Sequence, residues 1–381
     1  MNSIAKDEKK VEYLELIYDL VFVYIIGRNN QILHNVNGGF ITLGTFGSYV
    51  VATLAVIQIW NFSTFYINMF GKNGIRDHVA LFINMYLLYY IGKGTRIDWA
   101  GYQNEYHIAW ALILINIGIQ YLIEMGNHKD SPDVLKTIYH MMAALFGEAV
   151  IILIAIPVFN IFGVQIALAA IIYGVAVTWY FADNTKAEMV DFTHLSERAM
   201  LYVVFTFGEM IIVISEYFNG GFNANNVYFS LMSFLIVVAL FLSYGFLYDH
   251  VIDRERKSTG MVYMFIHIFL IFAMNNITAA LEFMRDPSVE LNPKVLFLIG
   301  SFLLYFACLF CLLIFAKEGM RMCRNLLFKV LAGSAVFVVL MLSFKADMYV
   351  NIALSVVYVF SIFIALYAFG RQRGRLYQKE G

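Results

Sequence analysis

Apolar runs of roughly twenty residues recur twelve times along the chain, separated by short polar turns. A hydrocarbon core of about 30 Å is crossed by about 20 helical residues, so each run reads as a membrane span. The predicted spans are 11–33, 40–66, 78–95, 105–125, 136–157, 161–182, 195–217, 226–248, 259–281, 294–316, 325–344 and 348–370. They are continuous and lack the apolar and polar alternation of lipid-facing strands, which argues for helices over a barrel. The expected fold class is all-α, a polytopic helical membrane protein with about 12 transmembrane helices. Residues 1–381 form one transmembrane domain, with possible halves at 1–182 and 195–370.

Composition agrees with that pattern. Hydrophobic residues are 61% of 381, charged residues 14%, and mean hydropathy is +0.71, against about 45–50% and about 25% in soluble domains. A net charge of -1 implies no nucleic-acid partner. Positive charge is nonetheless unevenly spread. Assigning Lys and Arg to alternate sides of the twelve spans puts 20 on one side and 6 on the other, the six being Arg28, Lys93, Arg96, Arg285, Lys294 and Lys345. Cytoplasmic loops retain positive charge, so both termini are expected in the cytoplasm.

Other signals narrow the reading further. The lysine-bearing N-terminus lacks a cleavable signal pattern and no lipidation motif is present, so the first span is expected to be retained. Connections are short, leaving no extramembrane domain to carry separate chemistry. Pro132, Pro157, Pro287 and Pro293 all fall at predicted loops or a span end, so a broken helix would have to rely on glycines such as Gly147, Gly208 or Gly245. Cys308, Cys311 and Cys323 read as packing residues, without a disulfide framework. The glycosylation-like triplets at Asn61 and Asn276 lie within spans and are set aside.

The candidate chemistry is the charge that remains inside the spans, where an ionisable residue is costly and marks function by default. Glu15 and Asp19 in LELIYDLVFVYII stand one turn apart and about 40° apart around the helix, so they share a face. The tripeptide Phe-Gly-Glu occurs at 146–148 and again at 207–209, giving Glu148 and Glu209 similar expected depth, with each glycine letting a neighbouring backbone come close. In HLSERAMLYVVFTFGEM, His194 and Arg198 are i,i+4 neighbours, and Glu209 lies about 16 Å deeper on nearly the same face. Glu197 reads as a surface cap. His140 and His267 are either hydrogen-bonding struts or proton carriers, while Asn116, Gln120, Asn275 and Asn276 read as interhelical glue. If the spans converge, Glu15, Asp19, His140, His194, Arg198 and His267 occupy the inner half of one cytoplasm-facing cavity, with Glu148 and Glu209 near mid-depth.

The two clusters resemble the low temperature requirement protein A (LtrA) family. Its first-span pattern, Leu-Glu-Leu, two aromatics, then Asp-Leu-Val-Phe-Val, is matched by Leu14 to Val23, with Ile17 replacing the first aromatic. Its His-Leu-x-Glu-Arg segment leading to Gly-Glu is matched by His194, Leu195, Glu197, Arg198, Gly208 and Glu209, and His267 resembles a further family histidine. Met200 stands where a glycine is usual and Met210 where a serine is common. The resemblance implies a bacterial, multi-pass inner-membrane protein and carries no settled activity.

The functional expectation is a transporter or channel for a small ion or solute. Asp19, Glu148 and Glu209 would bind a proton or cation, Glu15 and Arg198 would tune them, and His194 or His267 would relay protons. The expected partners are the lipid bilayer and that small ion or solute; no cofactor is implied, and no catalytic residue is assigned. A membrane-embedded enzyme acting on lipid is a weaker reading, because no HExxH, nucleophile elbow or paired-histidine motif occurs. A structural or sensory membrane protein is the third.

Overall fold

The structure, a computed structural model, describes residues 9–34, 36–37, 39–94, 99–216, 221–320 and 324–380. Twelve α-helices follow one another as the hydropathy predicts: α1 Tyr13–Leu33, α2 Leu43–Phe70, α3 Ile75–Gly94, α4 Trp99–Asn127, α5 Pro132–Phe162, α6 Ala167–Tyr180, α7 Phe192–Ser215, α8 Ala224–Phe246, α9 Met261–Arg285, α10 Leu291–Cys311, α11 Arg324–Ser343 and α12 Met348–Glu380. Among the described residues the only strands are the two-residue pairs Val36–Asn37 and Phe40–Ile41.

Nine described helices are long and apolar enough to cross a membrane. Helices α1 and α3 fall outside that set; they carry Glu15, Asp19 and Arg28, and Arg76, Asp77 and Lys93. Helix α6 is apolar but has 14 residues, about 21 Å of rise. It is shorter than predicted because α5 runs on to Phe162 and ends at Gly163, whose φ of 69° suits a left-handed C-terminal stop. Pro157, expected at a span end, therefore lies inside α5. A proline forfeits one backbone bond, but abandoning the helix in lipid would leave several more groups unpaired.

Starts are set locally. Thr42 Oγ1 accepts the Thr45 N–H at 3.1 Å at the head of α2, and Asn223 Oδ1 accepts the Asn226 N–H at 2.9 Å at the head of α8. Two residues after Gly245, α8 passes into a π-helical turn, Leu247–Val251, whereas Gly147 and Gly208 sit within unbroken helices.

Many large apolar side chains are exposed while several charged ones are buried. Leu43 and Phe222 are 87% and 89% exposed, whereas Asp19, Glu148, His194 and Arg198 are 0% exposed. A lipid solvent accounts for both facts, since it accepts apolar side chains and rejects charge.

The chain packs as two compact units. The first holds α1 to α6, α7 as far as Tyr202, and α9 as far as Ile268; in it α1 packs on α2 and α3, α4 on α3 and α5, and α5 on α6. The second holds α7 from Val203, α8, α9 from Phe269, and α10 to α12; in it α8 packs on α12, and α11 on α10 and α12.

Candidate functional site

The first unit contains a buried ion cluster built from α1, α2 and α7. The i,i+4 spacing of Glu15 and Asp19 turns both carboxylates to one side of α1, where Arg198 reaches them together. Its Nη2 lies 2.5 Å from Asp19 Oδ1 and its Nη1 lies 3.3 Å from Glu15 Oε2. The Trp60 indole N–H donates to Asp19 Oδ1 at 2.8 Å, and the Trp60 ring packs on Tyr202 with centroids 4.3 Å apart. A charge that deep is tolerated only when paired and hydrogen-bonded, and here one guanidinium does most of the pairing.

His194 completes the cluster. Its Nε2 is 3.4 Å from Glu15 Oε2, and its Nδ1 is 3.0 Å from Asn68 Nδ2. Asn68 is locked in turn by the backbone of Asp191, donating from Nδ2 to the Asp191 carbonyl at 2.8 Å and accepting the Asp191 N–H on Oδ1 at 3.0 Å. Just before α1, Lys9 bonds the Ile67 and Gly71 carbonyls at the C-terminus of α2, adding positive charge near Glu15. Burial pushes the Lys9 ammonium below its usual pKa, with Glu15 opposing the shift.

Glu15 also lines a cavity of about 330 Å³, together with Lys9, Lys10, Lys72, Asp77 and His78. The three lysines, which the charge count assigns to one side of the membrane, thus surround one opening. A second ion cluster, not expected from the sequence, involves Arg76, whose Nη2 is 2.5 Å from the buried Glu124 Oε1 and 3.1 Å from the Tyr66 hydroxyl. Glu124 stood at the edge of its span, four residues beyond Gln120, and an acid within the last turn of an apolar run was the available signal.

Glu148 lies apart from these, among α2, α5 and α6, and is fully buried. Gln58 Nε2 donates to its Oε2 at 3.0 Å and reaches the Ile171 carbonyl at 3.4 Å. The Trp110 indole lies beside the carboxyl, yet neither Trp110 Nε1 nor Glu148 Oε1 has a hydrogen bond of good geometry. No Lys, Arg or His forms an ion pair with Glu148 among the described residues. Gly174 lets α6 approach, since a Cβ there would stand 1.9 Å from Glu148 Oε2 and 2.5 Å from Gln58 Nε2.

The repeated Phe-Gly-Glu does not produce two equivalent sites. The space beside Gly147 is filled by the Tyr173 side chain instead of a neighbouring backbone, while the Cβ position at Gly208 is open. Glu209 belongs to the second unit and is half-buried there.

The two remaining candidate histidines each bond a backbone carbonyl one turn back along their own helix. His140 Nδ1 donates to the Lys136 carbonyl at 3.1 Å, its Nε2 is 3.4 Å from Thr185 Oγ1, and its ring stacks on Phe181. His267 Nδ1 donates to the Tyr263 carbonyl at 2.8 Å. Glu197 is half-buried, unlike the fully buried Arg198 beside it. A polar thread joins four helices: Asn116 donates to Asn84 at 2.8 Å, Asn84 to the Tyr18 hydroxyl at 3.1 Å, and that hydroxyl lies 3.0 Å from Ser63 Oγ. Cys308 is buried and Cys311 exposed, both free; Cys323 lies outside the described residues.

The two stretches that prompted the resemblance, Leu14 to Val23 and His194 to Arg198, are thus the ones that Arg198 ties together across 179 positions. The family described as bacterial low temperature requirement A protein (LtrA) matches residues 10–362. The chain belongs to the LtrA family. No curated protein matches it, and no solved structure does. As an LtrA protein with nine long apolar helices among its described residues, it is an integral, multi-pass membrane protein. The LtrA motif residues Glu15, Asp19, His194 and Arg198 form one contact network, whereas Glu148 stands on its own surroundings.

Proposed function

We propose that this LtrA protein is a transporter or channel-like protein of the bacterial inner membrane, with cytoplasmic termini, that moves a small ion or solute using buried carboxylates. The observation that carries the reading is Glu148, a fully buried carboxyl inside an apolar helix with no cationic partner among the described residues. Such a group is costly to keep, and its cost is met only when a proton or a cation accompanies it. A carboxyl that must exchange charge with its surroundings is what ion coupling needs. Glu15, at the edge of the lysine-rimmed cavity, supports access from one face.

For Glu15 and Asp19 one observation favours a structural role: Arg198 contacts both, so their charge is compensated within the protein. They would then set helix packing around the path instead of carrying the ion.

Purified protein in proteoliposomes, assayed for proton, cation and solute flux, tests the proposal. Flux that falls to background in Glu148→Gln is the expected result. Wild-type vesicles no leakier than empty ones, or a Glu148→Gln protein as active as wild type, would refute it.

A further inference from the structure

Glu148 stands midway along a run of polar side chains on α4 and α2. On α4, Gln103, His107 and Trp110 are spaced four and three residues apart, so they share one face, and all three are buried. The Trp110 indole lies beside the Glu148 carboxyl, and its ring centroid is 6.2 Å from that of His107. On α2, Gln58, Asn61, Thr64 and Asn68 recur every three or four residues, and Gln58 Nε2 donates to Glu148 Oε2 at 3.0 Å.

The two stripes extend in opposite directions from Glu148. Helices α2 and α4 run parallel, since Tyr106 donates to the Ala52 carbonyl toward their starts and Tyr66 packs on Tyr121 toward their ends. From Trp110 back to Gln103 is about 10 Å of helix and from Gln58 on to Asn68 about 15 Å, together most of a hydrocarbon core of about 30 Å. Both ends reach the surface. Gln103 Oε1 accepts a bond at 2.8 Å from the exposed Gln165, while Asn68 meets His194, and His194 meets Glu15 on the lysine-rimmed cavity.

Gln103 Nε2, Trp110 Nε1, Glu148 Oε1, Gln58 Oε1, Asn61 Oδ1 and Thr64 Oγ1 are buried atoms without a hydrogen bond in the structure. Buried polar atoms are normally paired with protein or with water, so a line of six points to water. Gln58 and Asn61 also border a cavity of about 30 Å³ with otherwise mostly apolar walls, room for one water. The mixture of groups decides what passes. Gln103 and Trp110 offer N–H donors, whereas Glu148, Gln58 and Asn61 offer acceptors. A metal ion is served only by acceptors, and an indole N–H against the carboxyl repels it. Water donates and accepts, so it suits every one of these atoms, and a chain of waters passes protons. The groups around the Glu148 carboxyl, Gln58 from α2, Trp110 from α4 and Gly174 from α6, are uncharged.

We propose that a hydrated proton path follows α4 and α2 through the first unit, with Glu148 as the proton-binding group at its middle and His107 as its exchange partner on the side away from the lysine-rimmed cavity. The His107 imidazolium gives its proton through water to the Glu148 carboxylate, leaving a neutral ring and a neutral carboxyl. Glu148 then releases that proton to water on the Asn61 side, and the reverse order serves the opposite direction. The inference rests on the transport reading above and narrows its ion to the proton.

Full-length protein in proteoliposomes holding a pH-sensitive dye, driven by a potassium diffusion potential with valinomycin, tests the path. Proton flux is expected in the wild type, at background in Glu148→Gln, and slower by at least about tenfold in His107→Gln. Asn61→Leu separates a path from packing. Replacing an unpaired buried acceptor with an apolar side chain should leave thermal stability equal or higher, yet the interrupted water should cut the flux. Undiminished proton flux in folded Asn61→Leu or folded His107→Gln overturns the path. An alkali cation or solute that moves without protons overturns it and leaves transport standing. Wild-type vesicles that move nothing remove the transport reading, and infrared difference spectra between acid and alkaline buffer then decide the proton site. A carboxyl C=O band that is lost in Glu148→Gln and altered in His107→Gln upholds it; the absence of such a band overturns it.

Discussion

The side-chain nitrogen of Asn68 lies 3.0 Å from Nδ1 of His194, and it is a donor that cannot be turned around. Its amide is pinned at both ends by Asp191, donating to the carbonyl and accepting the N–H, so the nitrogen faces the ring by necessity. Nδ1 of His194 must therefore present its lone pair, and the neutral ring carries its proton on Nε2, the atom 3.4 Å from Glu15.

Nitrogen-15 spectra of histidine-labelled protein check this relationship. The neutral His194 ring is expected to show an unprotonated Nδ1 and a protonated Nε2. Asn68→Asp, which replaces the donor with an acceptor, is expected to move a proton onto Nδ1; an unchanged pattern would count against the assignment.

Removing Arg198 leaves two buried carboxylates without their main counter-charge, so Arg198→Met is expected to lower stability by about 3–5 kcal/mol. Combining it with Glu15→Gln and Asp19→Asn removes the stranded charges and should recover most of the loss. Thermal unfolding in detergent decides the matter, and a triple variant no better than the single one would show that the guanidinium stabilises by packing alone.

Trp60→Phe preserves a ring against Tyr202 but deletes the N–H that Asp19 accepts at 2.8 Å. Hydrogen bonds to charged groups contribute about 1.5–3 kcal/mol, and a loss in that range is expected. In an Asp19→Asn background the loss should shrink, which a double-mutant cycle would register.

Gly174→Ala would put a methyl group 1.9 Å from Glu148 Oε2. The close approach of α6 then fails, and both thermal stability and any Glu148-dependent flux are expected to fall. Pairing it with Glu148→Ala removes the nearest clash but leaves Gln58 Nε2 2.5 Å from the methyl group, so part of the stability should return, though not the flux.

Lys9 supplies a pH dependence with a defined sign. Burial holds its ammonium below the usual lysine value in the folded protein. Between that depressed pKa and the unfolded one the unfolded chain binds more protons, so stability rises with pH across this alkaline window. Lys9→Met should abolish the rise, as measured by unfolding temperature against pH.

Some of these relationships are local in the chain and others join distant segments, and only the local ones show in the sequence. The shared face of Glu15 and Asp19 was legible because helical geometry fixes where residues four apart must point. The closeness of His194 to Arg198 followed from the same rule. Glu148 was recognisable as an intramembrane acid, but its partners Gln58, Trp110 and Gly174 stand on three other helices, and no local pattern links them. Arg76 and Glu124 were overlooked because each lies near a helix end, where a charge is ordinarily unremarkable. The Phe-Gly-Glu repeat suggested two matching sites, yet Gly147 meets Tyr173 while the space at Gly208 is open.

The primary structure alone determined that this chain is a succession of membrane-crossing helices, because lipid offers no hydrogen bonds to the backbone and a crossing has a set length. Which buried acid meets a guanidinium and which meets only neutral groups among the described residues was decided only by tertiary packing. Asp19 meets Arg198 across 179 positions and Glu148 meets Gln58 across 90. Electrostatic pairing depends on distance in space, and that distance does not exist until the helices are assembled.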